Sequence, residues 1–166
     1  HRTLNLLSAT RLYLDQYPQW LKEVGADPTL IRKLSNELYD AHFEYRFMEA
    51  LRNHVQHVGL AVHGVNYDSK WLPPSKTERL QFSVSPYASR SALTADKGFK
   101  STVLAECPDS IPVIPTAHVY VESISVLHQE VRKLADPIAS QSRAVVQGAI
   151  TKHAEAAREK LSGLTA

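Results

Sequence analysis

Apolar residues recur at helical spacing through most of this chain and lose that spacing between Val65 and Pro115. Leu4, Leu7, Leu12 and Leu14, with Ala9 and Tyr13 between them, line one side of an opening helix that Tyr17-Pro18 is expected to end. The second helix carries the clearest marks. Asp27 is placed to cap it, and Pro28 suits the first helical position, where a missing N–H costs nothing. Ile31, Leu34, Leu38, Tyr45, Met48, Val55 and Gly59 then follow as one stripe, with Gly59 or Gly64 as terminator. This predicts a single helix of about thirty residues, long for a globular protein.

Past that point the pattern changes. Trp71-Leu72-Pro73-Pro74 breaks any helix, and Leu80-Gln81-Phe82-Ser83-Val84 alternates with the period of a short strand. Asp96 is expected to cap a short helix from Lys97 to Glu106, after which Pro108, Pro112 and Pro115 hold the chain extended. Two further helices are expected: one over Thr116 to Ala135, and one starting at Asp136-Pro137, a second cap-plus-proline signal. No repeat or low-complexity segment interrupts them. The predicted architecture is mainly α, a helical bundle carrying a small irregular or short-β insertion over about 65–115, in one domain spanning 1–166.

Composition narrows the function classes. With 166 residues, 43% of them hydrophobic, the chain can bury one proper core and is short for two. A net charge of +2 is too small for a protein that wraps a duplex, so any nucleic-acid contact is a local patch. Cys107 stands alone, which excludes a disulfide framework and a cysteine-based zinc site. His54, His57 and His63 have no carboxylate or cysteine at a usual ligand spacing, so neither a metal nor a cofactor is expected. No apolar run reaches the roughly 18 to 20 residues that cross a bilayer, and the expectation is a soluble, cytoplasmic protein without membrane contact. The start, His1-Arg2-Thr3-Leu4, lacks an initiator methionine and the layout of a signal peptide; the natural N-terminus is expected upstream.

Candidate chemistry gathers in Leu51-Arg52-Asn53-His54-Val55-Gln56-His57, which sets a cation, an amide and imidazoles within two helical turns. Leu38, Tyr45, Arg52 and Gly59 are spaced by seven, which places Arg52 on the apolar stripe. A guanidinium there requires a carboxylate, a phosphate or a wet groove. Glu49, three residues earlier, is the ordinary partner. Asn53 and His57, four apart, share a face, so the amide can orient the imidazole for proton transfer. Arg52 and His57 diverge by about 140° on an ideal helix. A two-fold dimer that sets two copies of the motif around one cleft removes this difficulty.

The arginine, the asparagine directly after it and the histidine after four intervening residues resemble the signature of the HEPN superfamily. The wider phrase from Tyr45 to Leu60 is similar to an "LRN-x-x-QH-x-GL" segment of a group of bacterial proteins of that type, as is the opening Leu4-Asn5-Leu6-Leu7. The resemblance covers the first third of the chain. It implies a helical, dimeric, metal-independent endoribonuclease. Arg52 would grip the scissile phosphate, His57 would move a proton at the ribose 2′-hydroxyl or the leaving 5′-oxygen, and Asn53 would position one of them. Transphosphorylation would leave a 2′,3′-cyclic phosphate and a 5′-hydroxyl, and would select RNA because DNA lacks the nucleophile. Members of the superfamily act as toxins or in phage defence, some with an antitoxin; others have lost catalysis and bind RNA or a protein partner.

Other residues carry two readings each. Arg46 is an added phosphate contact or a solvated charge, and His54 assists the chemistry or is exposed and inert; both are accessory substrate-binding candidates. Tyr45 belongs to the core. Tyr67, Trp71 and Tyr87 stack on unpaired bases or pack the insertion onto the bundle, the second being the commoner use. His118, His128 and His153 receive no role, and Lys152, Arg158 and Lys160 read as a solvated helix face. Beside the ribonuclease stands a reading of another class: a catalytically silent helical module whose polar groove binds RNA or a partner protein.

Overall fold

The computed structural model describes residues 2–73 and 80–162, with side chains as far as Arg158. Pro74 of the expected helix break and the side chain of Lys160 lie outside these. The elements run α1 (Arg2–Glu23), α2 (Thr29–Ala41), α3 (Phe43–His57), β1 (Gly64–Trp71), β2 (Leu80–Ser89), α4 (Arg90–Thr94), α5 (Ser101–Glu106), β3 (Ser110–Pro112) and α6 (Val113–Ser162). The fold is mainly α with one small antiparallel sheet, order β1-β2-β3, set into it.

Pro18 does not end the first helix, which continues to Glu23. The proline forfeits one backbone hydrogen bond, but Tyr17 and Leu21 on either side of it are buried with Ile31, Leu127 and Val131, and that packing holds the turn. The real stop is Gly25, at φ +79°. Its N–H donates to the Lys22 carbonyl at 3.0 Å and the Ala26 N–H to that of Leu21 at 2.8 Å, a Schellman ending that needs a left-handed residue. Asp27 acts near its expected place: its Oδ1 accepts from the Thr29 N–H at 2.9 Å and the Thr29 hydroxyl at 2.6 Å, just ahead of α2.

The expected thirty-residue helix is two helices. His42, extended at φ −114° and ψ 116°, separates α2 from α3 and resets the helical phase. Arg46 makes the break tolerable. Its Nη1 donates to the carbonyls of Tyr39 (3.0 Å) and Asp40 (2.6 Å), which the interruption leaves without helical partners, and its Nη2 meets Glu106 at 2.6 Å. A cation at a helix C-terminus also suits the helix dipole. After the reset, α3 buries Tyr45, Phe47, Met48, Ala50, Leu51 and His54, and of the heptad through Leu38, Tyr45 and Arg52 only the last two stay on one helix.

At the other end of the chain, the two closing helices expected around Asp136-Pro137 are one, α6, 50 residues long with Pro137 inside it. At 1.5 Å per residue it extends about 75 Å. Among the described residues its buried positions run from Val113 to Ala135; Val145, Val146 and Ile150 are exposed. Pro137 therefore marks where the helix leaves the core. Pro137 lacks an N–H to donate, yet α6 runs through it without a break.

The short-β insertion is a strand pair, β1–β2, with the short β3 added at one edge. In the β1–β2 hairpin Tyr67 pairs with Val84, Ser69 with Phe82 and Trp71 with Leu80. Residues opposite one another in a sheet share a face, so Val65, Tyr67, Trp71, Phe82 and Val84 lie together. That face is open: Tyr67, Trp71 and Phe82 are 79%, 74% and 73% exposed. Tyr67 and Trp71 thus do not pack the insertion onto the bundle. Only the end of the hairpin enters the core, where Ala88 pairs with Ile111 of β3 and both are buried. Asp96 does not start a helix at Lys97, since α5 begins at Ser101.

Candidate functional site

The motif occupies the last turns of α3. Leu51, fully buried, and Met48 fix the helix against the core, and this sets where the polar side chains point. On a helix of 3.6 residues per turn, the buried side centres near Leu51, and Arg52 and His57 fall on its two flanks with Asn53 and Gln56 between them. Arg52 is half-buried, while Asn53 and His57 are exposed.

Glu49 does not serve Arg52. It accepts the Tyr120 hydroxyl at 2.5 Å and faces Arg11 at 3.7 Å, so it belongs to a contact linking α1, α3 and α6. Among the described residues no carboxylate forms an ion pair with Arg52. Its Nη1 donates instead to the side-chain carbonyl of Asn53 at 2.9 Å. This bond draws the guanidinium around the helix toward the face that Asn53 shares with His57, narrowing the divergence of about 140° expected from an ideal helix. Asn53 therefore orients the arginine; a hydrogen bond from Asn53 to His57 does not form among the described contacts.

His54 corrects the expectation most sharply. It is 4% exposed, and its Nδ1 meets Asp96 Oδ2 at 2.8 Å. Asp96 is held in turn by the Gly98 N–H at 2.8 Å. The bond from His54, then that from Gly98, keeps the Asp96 carboxyl below its usual range. Ionised Asp96 accepts, so His54 Nδ1 donates to it, and Nε2 is left without a hydrogen-bond partner among the described residues. His63 stands alongside, its ring centre 5.8 Å from that of His54, and its Nδ1 accepts the Ser89 N–H at 3.1 Å. Among the described residues only two buried side-chain nitrogen or oxygen atoms lack a hydrogen-bond partner, Arg52 Nε and His54 Nε2. Both lie in this motif. Orphaned buried polar atoms are uncommon and costly in folded proteins, and they mark this stretch.

Arg46, the other accessory candidate, is occupied by Tyr39, Asp40 and Glu106 and offers no free guanidinium to a phosphate. Tyr45 is buried as expected, and Tyr87 is half-buried, its hydroxyl close over Gly64. Asp96 and His63 escaped sequence reasoning. Asp96 is 42 residues from His54, and its own neighbourhood, Asp-Lys-Gly, reads as an ordinary turn or cap. Among the described residues no three His, Cys, Asp or Glu side chains gather as a metal would require, and no helix is long and apolar enough to cross a membrane.

The His63 imidazole gives a pH test of this region. Burial first, and His54 second, hold its pKa below the ordinary 6.5. A histidine with a depressed folded pKa adds stability that is complete above the unfolded value and is lost as pH falls through the folded one. Protonation also removes the acceptor for the Ser89 N–H. Between pH 7 and pH 5 the Ser89 amide should lose hydrogen-exchange protection beyond its intrinsic pH dependence, and His63→Phe should abolish that dependence. The Asp96 contribution has a separate window, being lost only as pH falls below the carboxylate range near 3.8.

No protein-family model, curated protein or solved structure matches the chain. The site is therefore interpreted from its own geometry.

Proposed function

We propose that the protein is a metal-independent endoribonuclease of HEPN type, cytoplasmic and acting as a homodimer on single-stranded or loop RNA. The observation that carries this reading is the state of Arg52: a half-buried cation that among the described residues has no carboxylate and no acceptor for its Nε, its Nη1 held by Asn53 beside the exposed His57. Such a guanidinium suits a phosphate, whose oxygens supply the missing acceptors. Arg52 would bind the scissile phosphate and stabilise its developing charge, and His57 would transfer the proton. A two-fold axis beside α3 would bring the histidine of one copy to the arginine of the other. The open aromatic face of the hairpin adds flat rings on which unpaired bases stack. A toxin or defence role, with or without an antitoxin, would follow from such an activity.

The test is incubation of purified protein with single-stranded RNA in EDTA. The expected result is products ending in 2′,3′-cyclic phosphate, formed by the wild type and not by Arg52→Ala or His57→Ala. One observation favours the second reading, a silent module that binds RNA or a protein: His57 is exposed and has no hydrogen-bond partner among the described residues. Retention of RNA without product, equal in wild type and His57→Ala, would establish that reading instead.

A further inference from the structure

Transphosphorylation moves two protons. One leaves the ribose 2′-hydroxyl as its oxygen attacks phosphorus, and one reaches the 5′-oxygen as the P–O5′ bond breaks. A single histidine must serve both events in turn, or a second group must share them. We propose that His54, oriented by Asp96, is that second group, so that one chain supplies both proton-transfer imidazoles. This rests on the ribonuclease reading and deepens it.

Three independent features carry the assignment. The first is the Asp96–His54 pair itself, 2.8 Å apart with side chains 4% and 7% exposed. A buried carboxylate on Nδ1 fixes the tautomer whose Nε2 accepts a proton and stabilises the imidazolium once it forms. The second is Nε2, buried and without a hydrogen-bond partner among the described residues. A histidine kept only to tie α3 to the turn before α5 would complete its job through Nδ1 and would gain by satisfying Nε2 as well. The third is Gly59. A Cβ there would lie 3.0 Å from His54 Nε2 and 3.4 Å from Cε1, so a side chain would crowd the one free atom of the ring. Gly59 lies in a segment with no regular structure, between the exposed Val58 and Leu60. It covers Nε2 with the thinnest residue available, and the assigned role requires this segment to shift to admit a hydroxyl.

His54 and His57 are three residues apart, neighbours on one side of α3. In the assigned reaction His54 Nε2 accepts the 2′-hydroxyl proton while the 2′-oxygen bonds to phosphorus. Protonated His57 donates to the departing 5′-oxygen. The proton count balances, with His54 finishing charged and His57 neutral until solvent restores both. The titratable groups facing His54 are Asp96, from the turn before α5, and His63, ahead of β1. Asp96 Oδ2 lies 2.8 Å from Nδ1, and the His63 ring centre 5.8 Å from that of His54.

Two measurements on the full chain test this. In ¹⁵N spectra of the imidazoles, titrated with uridine 3′-monophosphate, the free protein should show His54 protonated at Nδ1. Its Nε2 resonance should move on saturation in the wild type and stay fixed in Gly59→Ala, whose Nδ1 resonance, read in the same spectra, should match the wild type and so report the Asp96 bond kept. In the EDTA assay the wild type should give a bell-shaped pH–rate profile, and His54→Gln should lose the basic-group limb and about 10²–10⁴-fold in rate. A bell intact in His54→Gln, or an Nε2 resonance unmoved by the nucleotide in the wild type, overturns the assignment and leaves the ribonuclease standing. A wild type that cleaves nothing overturns both together.

Discussion

Replacing Arg52 by alanine should lower RNA cleavage by about 10²–10³-fold, the usual loss when one preorganised donor to a developing oxyanion is removed. The loss should fall on kcat, because the guanidinium acts most strongly on charge that accumulates in the transition state. The folded state should barely register the change. Arg52 makes no ion pair among the described residues and a single side-chain bond, to Asn53, so the stability difference should stay within about 0.5 kcal/mol. Arg52→Lys should recover little, since an ammonium keeps the charge but loses the planar fork. Initial rates on a single-stranded oligonucleotide, read beside a urea titration of each variant, separate these effects. Full activity in Arg52→Ala at unchanged stability would remove the arginine from the mechanism.

The second large effect is on folding. Phe47 is fully buried on α3, with ring centres 5.8 Å from Phe43 and 6.3 Å from Phe99. Phe47→Ala should cost about 3–5 kcal/mol, from lost transfer energy together with the cavity left behind. Against a total stability of about 5–15 kcal/mol, that brings the protein near its unfolding threshold. The midpoint of chemical denaturation measures it directly. The consequence reaches the site, because Phe99 also packs edge-on against His54, with ring centres 6.2 Å apart. A weakened Phe47–Phe99 contact loosens the turn that carries Asp96. If Phe47→Ala unfolds at the wild-type midpoint, the core does not sit where α3 places it.

These two residues illustrate how unevenly the molecule can be read from its sequence. Phe47 lies outside the stripe expected through Tyr45, Met48 and Val55; it follows Phe43 by four and precedes Leu51 by four, a row that faces the core once α3 is a separate helix. Arg52 is visible too: the break at His42 removes Leu38 from the heptad, but the Tyr45–Arg52 step stays within α3. It sets Arg52, half-buried, on the flank of the α3 core face beside buried Tyr45. His54 was misjudged because its environment is non-local. Its partners Asp96, His63 and Phe99 arrive from later in the chain, and no spacing within α3 announces them.

The sequence by itself determined the mainly helical class, the Asp27 signal ahead of α2, the period-two alternation from Leu80 and the arginine–histidine motif at the end of α3. Each depends on residues within a few positions of one another, where backbone preference and side-chain period act directly. Only the tertiary structure decided that α2 and α3 are separate, that Pro18 and Pro137 are carried inside helices, that Arg46 serves helix ends and Glu106, and that His54 is a buried partner of Asp96. A pattern shows which face of an element is apolar, but not which distant segment will cover it, nor which carboxylate a buried ring will find. Those outcomes depend on packing between segments far apart in the chain, and there the energy of a shared core outweighs local propensity.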